Sequence, residues 1–324
     1  MIYIENTTKE AIIFSKDEAL KALKKDCRPL QYATEELKNN KELVLLSVAQ
    51  YEDALKDASR ELKNDMGFML QVVGVNSWTM RFVSDELKDN RQFMLEVVKM
   101  NGPTNSFAYA SDRLINDAQF MLEALKTCPN GAVEYLPYTL TSKKEVILEA
   151  VQVAGWILAY ASEELQNDRE IVIEAVKRDG TALDFSSKAL KEDKKIVLEA
   201  VKMNGKALEY ASRKLKSDKT VVVEAVKQDG MALEFAKSKL KRDKEVVTKA
   251  VKNSGKALQF ASNEVRNDKE VVLEAMKQDN DALEFASDEV KIELLLEKTE
   301  YVNALENVSN IRNLRLLLDE TTLI

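Results

Sequence analysis

The stretch NDREIVIEAVKRDGTALDFSSKALKEDKKIVLEAVKMNGKALEYASRKLKSDK, residues 167–219, contains nearly the same phrase twice. Set in register, Asp168 stands over Asp193, Ala175-Val176 over Ala200-Val201, Gly180 over Gly205, Ala182-Leu183 over Ala207-Leu208 and Phe185 over Tyr210, each 25 residues apart. A repeat this short is one supersecondary unit that cannot bury its own apolar face, so its copies must stack. An apolar anchor recurs at that interval through Leu165, Leu190, Leu215, Leu240, Val265 and Val290. Upstream it falls at Ile12, Leu37, Leu62, Leu87, Leu114 and Leu140, the interval stretching only around Pro103 and Pro129. Eleven units are expected between about residue 12 and residue 289.

Each unit reads as two helices. Asp168, Asp193, Asp218, Asp243 and Asp268 precede an apolar-periodic run and are placed to accept the free amide hydrogens of a first helical turn. The run stops at Gly180, Gly205, Gly230 and Gly255, which the pattern assigns to left-handed C-caps, with Asn280 as the substitute in the next unit. A second, shorter helix carries Ala207, Leu208, Tyr210 and Ala211 inward, followed by a tight turn through Arg213–Ser217. The predicted fold is all-α: an α-solenoid, wound as a right-handed superhelix, over residues 1–289. Its repeats are divergent over about 12–139 and regular over 140–289. Residues 290–324 lose the repeat and read as C-terminal capping helices.

Composition agrees with a soluble helical chain: 324 residues, 45% hydrophobic, 32% charged, with 9 Gly and 4 Pro. No apolar run approaches the roughly 18 residues of a membrane span, and MIYIENTTKEAIIFSKDE lacks a secretory signal's basic and apolar regions, so a cytoplasmic location is expected. Cys27 and Cys128 are too few for a disulfide framework, and the absence of histidine removes the usual zinc and imidazole chemistries. Neither cofactor nor metal nor catalytic residue is expected.

The columns also carry a resemblance. ASEELQNDREIVIEAVKRDGTALDFSS, residues 161–187, and its copies resemble the tandem helical repeat called domain of unknown function 4116, most closely over residues 140–289. Residues 41–140 follow it by spacing more than by motif, with Asp57 in the aromatic column. The resemblance implies a binding module without a shared catalytic residue. It also implies an effector-like role, since such repeats occur in bacteria associated with protozoan hosts, and with it export by a signal that is not cleaved.

Candidate function lies where one copy departs from the rest. The aromatic column, among it Tyr160, Phe185, Tyr210, Phe235 and Phe260, could stack bases, but its place between Ala-Leu and Ala suits a core ladder better. The recurring aspartates are explained as caps, and Glu174/Lys177, Glu199/Lys202, Glu224/Lys227 and Glu274/Lys277 as ion pairs on one helix face.

Two departures remain. Trp78 and Trp156 follow the glycine column, where other units carry Thr181, Lys206, Met231, Lys256 or Asp281; they are either partner anchors or fillers of local gaps. The turn before each new unit is acidic in most copies, as in Glu35/Glu36, Asp85/Glu86, Glu163/Glu164 and Asp288/Glu289. It turns basic in three consecutive ones, through Lys188 and Lys191, then Arg213, Lys214 and Lys216, then Lys237, Lys239, Lys241 and Arg242. Residues 187–256 hold 19 Lys+Arg against 10 Asp+Glu, a balance of +9, so the remainder carries −16 to give the chain's −7. Such a stripe suits an acidic protein, an anionic membrane surface or nucleic acid, unless it is only a solvated surface. The expected function is a non-enzymatic protein-interaction scaffold, taken as a monomer, whose partner is another protein. Nucleic-acid binding through the basic edge of residues 187–256 is the alternative.

Overall fold

The computed structural model describes residues 13, 15–25, 28–102, 106–297 and 299. The chain divides into two compact units, Met1–Leu165 and Gln166–Ile324. Both show the expected all-α repeat fold; among the described residues the only strand-like pairing is a single bridge between Ile13 and Ala33.

In the second unit each repeat has three elements rather than two. A ten-residue α-helix, such as Arg169–Arg178, Lys194–Met203, Lys219–Gln228 or Lys244–Asn253, comes first. A six-residue 3-10 helix follows: Gly180–Phe185, Gly205–Tyr210, Gly230–Phe235 and Gly255–Phe260. A single helical turn then occupies what the sequence suggested was a bare turn, as at Leu190–Glu192, Leu215–Ser217 and Ser238–Lys241. The second element closes with i→i+3 bonds, as from Ala207 N to Asn204 O at 2.9 Å and Ala211 N to Leu208 O at 3.2 Å.

Each α-helix begins as the aspartates require. Asp218 accepts from the amides of Thr220 at 2.9 Å and Val221 at 3.3 Å, and Asp168, Asp193, Asp243 and Asp268 do the same in their own units. The helices end differently from the expectation. The residue after Met203 is Asn204, extended at φ −150° and ψ 111°, and it caps the following 3-10 helix by accepting from Lys206 N at 3.0 Å. Asp179, Asp229 and Asp279 repeat this second cap, which the sequence reading missed.

The glycine column is therefore not left-handed; the one positive-φ glycine among the described residues is Gly102. The reason for glycine is close approach. A Cβ on Gly205 or Gly255 would stand 2.5 Å from the carbonyl oxygen of Ala225 or Ala275 in the next unit, and Gly180 and Gly230 are closer still to theirs. Asn280 occupies the column in the last repeat, where it is exposed. Its role as a left-handed substitute falls with the rest of that reading.

Burial follows the helical spacing. Ile171, Val172, Ala175 and Val176 and their counterparts through Val251 are fully buried, as are the Ala-Leu pairs of the 3-10 helices. Within the second unit each α-helix packs on the next and each 3-10 helix on the next. The anchor residues from Leu37 to Val290 are all buried.

The first unit uses the same elements with bulkier contents. Met66–Val75, Arg91–Asn101 and Ala118–Thr127 bury Phe68, Phe93 and Phe120, each beside a methionine, where the second unit places Ile or Val. Glu52 and Ser77 replace the glycine there. With a Cβ present, a carbonyl cannot approach as it does at Gly205, and the larger side chains fill the space. The anchor Ile12, Pro103 and the segment 300–324 lie outside the described residues; of the closing helices, the structure describes one over 288–297.

Candidate interaction surface

The one-turn helices of the second unit are tied side by side by one backbone bond per repeat. Ser187 N donates to Gln166 O, Ser212 N to Lys191 O, Lys237 N to Lys216 O and Ser262 N to Lys241 O, all at 2.9–3.0 Å. This stitching sets the basic turns of three units next to one another along one edge.

The nine basic candidates separate into two groups. Lys188, Arg213, Lys214, Lys237, Lys239 and Arg242 are exposed. Among the described residues the first five make no ion pair, and Arg242 approaches Glu264 at 3.9 Å. Lys191, Lys216 and Lys241 are half-buried and turn inward. Lys191 donates to the Asp184 carbonyl at 2.5 Å, as Lys88 does to Arg81 O in the first unit at 3.2 Å, and Lys241 lies over the ring of Phe260 at 5.9 Å. These three support the fold as well as the edge, their stems covering apolar surface.

Crowding of like charge marks the centre of the edge. Partial burial, then Lys237 and Arg213, hold the Lys216 amine below the usual lysine value against the opposing pull of Glu209. Partial burial also lowers Lys241; Glu234 opposes this and Lys237 adds to it. The charges at the helix starts are matched. Lys194, Lys219 and Lys244 reach the capping aspartates of the next unit, Asp218, Asp243 and Asp268, at 2.6–2.7 Å, and Arg169 reaches Asp193 at 3.2 Å. Burial pushes the Asp218 carboxyl up, but Lys194 and the two capped amides more than offset it, leaving the group below its ordinary value. Bonds from Lys219 and Lys249 hold Glu245 down at about 2. The Glu/Lys pairs expected within helices are formed, at 2.7–3.2 Å.

The aromatic column is neither core centre nor free platform. Phe185, Tyr210, Phe235 and Phe260 are half-buried, and Tyr160 is 42% exposed. The two tryptophans, both in the first unit, differ. Trp78 is 55% exposed in the 3-10 helix Ser77–Phe82, while Trp156 is half-buried, packed on the core and edge-on to Tyr160 with ring centroids 6.2 Å apart.

The repeat columns match a known family profile, described as domain of unknown function (DUF4116), over residues 15–63, 65–108, 90–141, 143–191, 193–241 and 243–291. The chain belongs to the DUF4116 family. Each of the last three DUF4116 matches spans two of the 25-residue repeats, so the family unit is a stacked pair. The first three cover the divergent repeats as well, including those that lack the glycine. No curated protein and no solved structure matches the chain. Among the described residues no helix is long and apolar enough to cross a membrane.

Proposed function

We propose that the chain is a non-enzymatic binding scaffold that holds a partner protein along the basic edge of its second unit. The observation that carries this reading is the row of Lys188, Arg213, Lys214, Lys237 and Lys239, exposed and, among the described residues, without ion pairs in three consecutive units, in a fold whose capping aspartates are matched by lysines. Unmatched charge of one sign on a surface raises the encounter rate with a partner of the opposite sign and selects against others. Trp78, exposed at the start of a 3-10 helix, is a separate anchor of the kind that dominates interface energetics. Nucleic acid would use the same edge, but the half-buried aromatic column offers little stacking surface to a single strand.

The test is affinity capture from a nuclease-treated lysate, followed by rebinding of the captured protein in purified form. Three chains are compared: wild type, Lys214→Glu/Lys239→Glu, and Trp78→Ala/Trp156→Ala. Direct binding of one identified protein, lost on charge reversal in a chain that stays folded, is the expected result. Recovery of nucleic acid alone from an untreated lysate, abolished by the same reversal, would replace this reading with the nucleic-acid one.

A further inference from the structure

Lys237 breaks a local rule that nearly every other repeat obeys. Its position opens the one-turn helix; elsewhere it is Ser59, Ser84, Ser111, Ser162, Ser187, Ser212, Ser262 or Ser287, with Thr34 and Pro137 as the other departures, both uncharged. Most of those serines cap their own turn, and four of them also reach back to an asparagine of the preceding unit. Ser187 Oγ accepts from Leu190 N in its own unit at 3.4 Å and donates to Asn167 Oδ1 of the preceding one at 2.5 Å. Ser287 with Asn267, Ser59 with Asn39 and Ser84 with Asn64 make the same link.

At Lys237 both bonds are gone, as they are at Ser262 of the next repeat, but within this column only Lys237 puts a charge in their place. No side chain caps the turn Ser238–Lys241, and Ser217 stands where the asparagine would be. A lysine here also adds positive charge where amide hydrogens already point. It does so beside Lys216, to whose carbonyl its own amide is bonded at 3.0 Å. Nothing within the fold compensates for this, and a sequence that violates a local rule without structural return commonly does so at a functional position.

We infer that Lys237 is the centre of a site for an extended acidic segment of the partner protein, lying across the three units that carry Lys188, Arg213, Lys214, Lys239 and Arg242. This rests on the scaffold reading and names the chemistry of its partner. Neighbouring units stand about one helix diameter, roughly 10 Å, apart. An extended chain advances about 3.3 Å per residue, so an acidic side chain at every third position meets one unit after another. The edge ends at Glu264, close to Arg242, and at the exposed pair Asp288/Glu289 beyond it. That length suits a segment of about nine or ten residues and would repel a longer polyanion. No large exposed apolar side chain lies among these cations to enter a bilayer.

The probe is a fluorescein-labelled ten-residue peptide with Asp or Glu at every third position, beside its Asn/Gln analogue, a single-stranded oligonucleotide and phosphatidylserine vesicles. Wild-type chain is expected to bind the acidic peptide, more weakly as salt rises, and to ignore the neutral analogue. Lys237→Ser restores the residue of the column, so it is expected to weaken peptide binding by about tenfold or more while its Tm stays level or rises. That combination separates lost recognition from lost fold. Unchanged binding by Lys237→Ser, no peptide binding by wild type, or tighter binding of oligonucleotide or vesicles overturns the inference. A chain that holds an identified protein partner yet ignores the peptide overturns the acidic segment alone; one that captures only nucleic acid overturns the scaffold reading too.

Discussion

At Gly205 one added methyl group would stand 2.5 Å from the carbonyl oxygen of Ala225 and 2.9 Å from the Cβ of Asp229. Both belong to the next repeat, so the unit itself must shift to admit it. Alanine ordinarily stabilises by restricting the unfolded chain; here Gly205→Ala is expected to lose about 1–3 kcal/mol, the usual cost of overpacking. Asn280→Ala, in the same column but exposed at the last repeat, should stay within about 0.5 kcal/mol of wild type. Urea unfolding of the two variants checks both, and equal stability of Gly205→Ala would rule out the close approach. Lys237→Ser is expected to gain about 1 kcal/mol by supplying the missing cap. The capping aspartates and the buried anchors were legible in the sequence because both are local signals. The glycine's purpose was not, since a left-handed cap and a close approach leave the same trace, the lack of a side chain. Lys191, Lys216 and Lys241, which turn inward, differ from the projecting lysines in one respect legible in the sequence, since each directly follows its buried anchor as Lys38, Lys63 and Lys88 do.

The α-helices are held at their starts by an ion ladder that doubles as capping. Asp218 is the type case: it accepts two amides of its own helix and the Lys194 ammonium of the helix before it, with both charged side chains partly open to water. Removing the charge but keeping the cap, as Asp218→Asn does, should cost no more than about 1 kcal/mol, and less in high salt. Asp218→Ala loses the cap too and should cost about 1 kcal/mol beyond that. A double-mutant cycle with Lys194→Ala measures the pair alone; a coupling that persists undiminished in molar salt would contradict a solvent-screened ladder. The pH dependence follows from the same groups. Asp193, Asp218, Asp243, Asp268 and Glu245 all titrate below their ordinary values in the folded chain. The folded state thus binds these protons less readily than the unfolded one, so their contribution is complete above the ordinary carboxylate range. It is lost as pH falls, through about 2 for Glu245. Tm should be level from pH 7 to about 5 and fall below about 4; a Tm unchanged at pH 3 would mean the ladder adds nothing.

Over the whole chain, stability is the sum of units and their contacts, so it should be graded along each stack rather than uniform. Within the second unit, helix Lys219–Gln228 lies between Lys194–Met203 and Lys244–Asn253 and is buried against both. The side chains of Gln228 and Asn253 add to this, accepting from the amides of Gly205 and Gly230 in the preceding unit. Among the described residues the last repeat is less fully buried. Helix Lys269–Met276 has eight residues, Met276 and Leu283 are only half-buried where Val251 and Leu258 are fully buried, and Asn280 and Asp281 are exposed. Beyond it the helix over 288–297 leaves Ile292, Leu295 and Leu296 at 57–59% exposure. Amide hydrogen exchange should accordingly be slowest in Lys219–Gln228 and markedly faster in Lys269–Met276, though the two helices share cap, composition and apolar spacing. Sequence alone ranks them as equals because propensity acts residue by residue; their difference lies in how completely tertiary packing buries each, as Met276 and Leu283 show. Equal protection in the two helices would mean that the second unit opens as a single cooperative block. Gly205→Ala should then expose both to exchange together, instead of loosening only the repeats on either side of it.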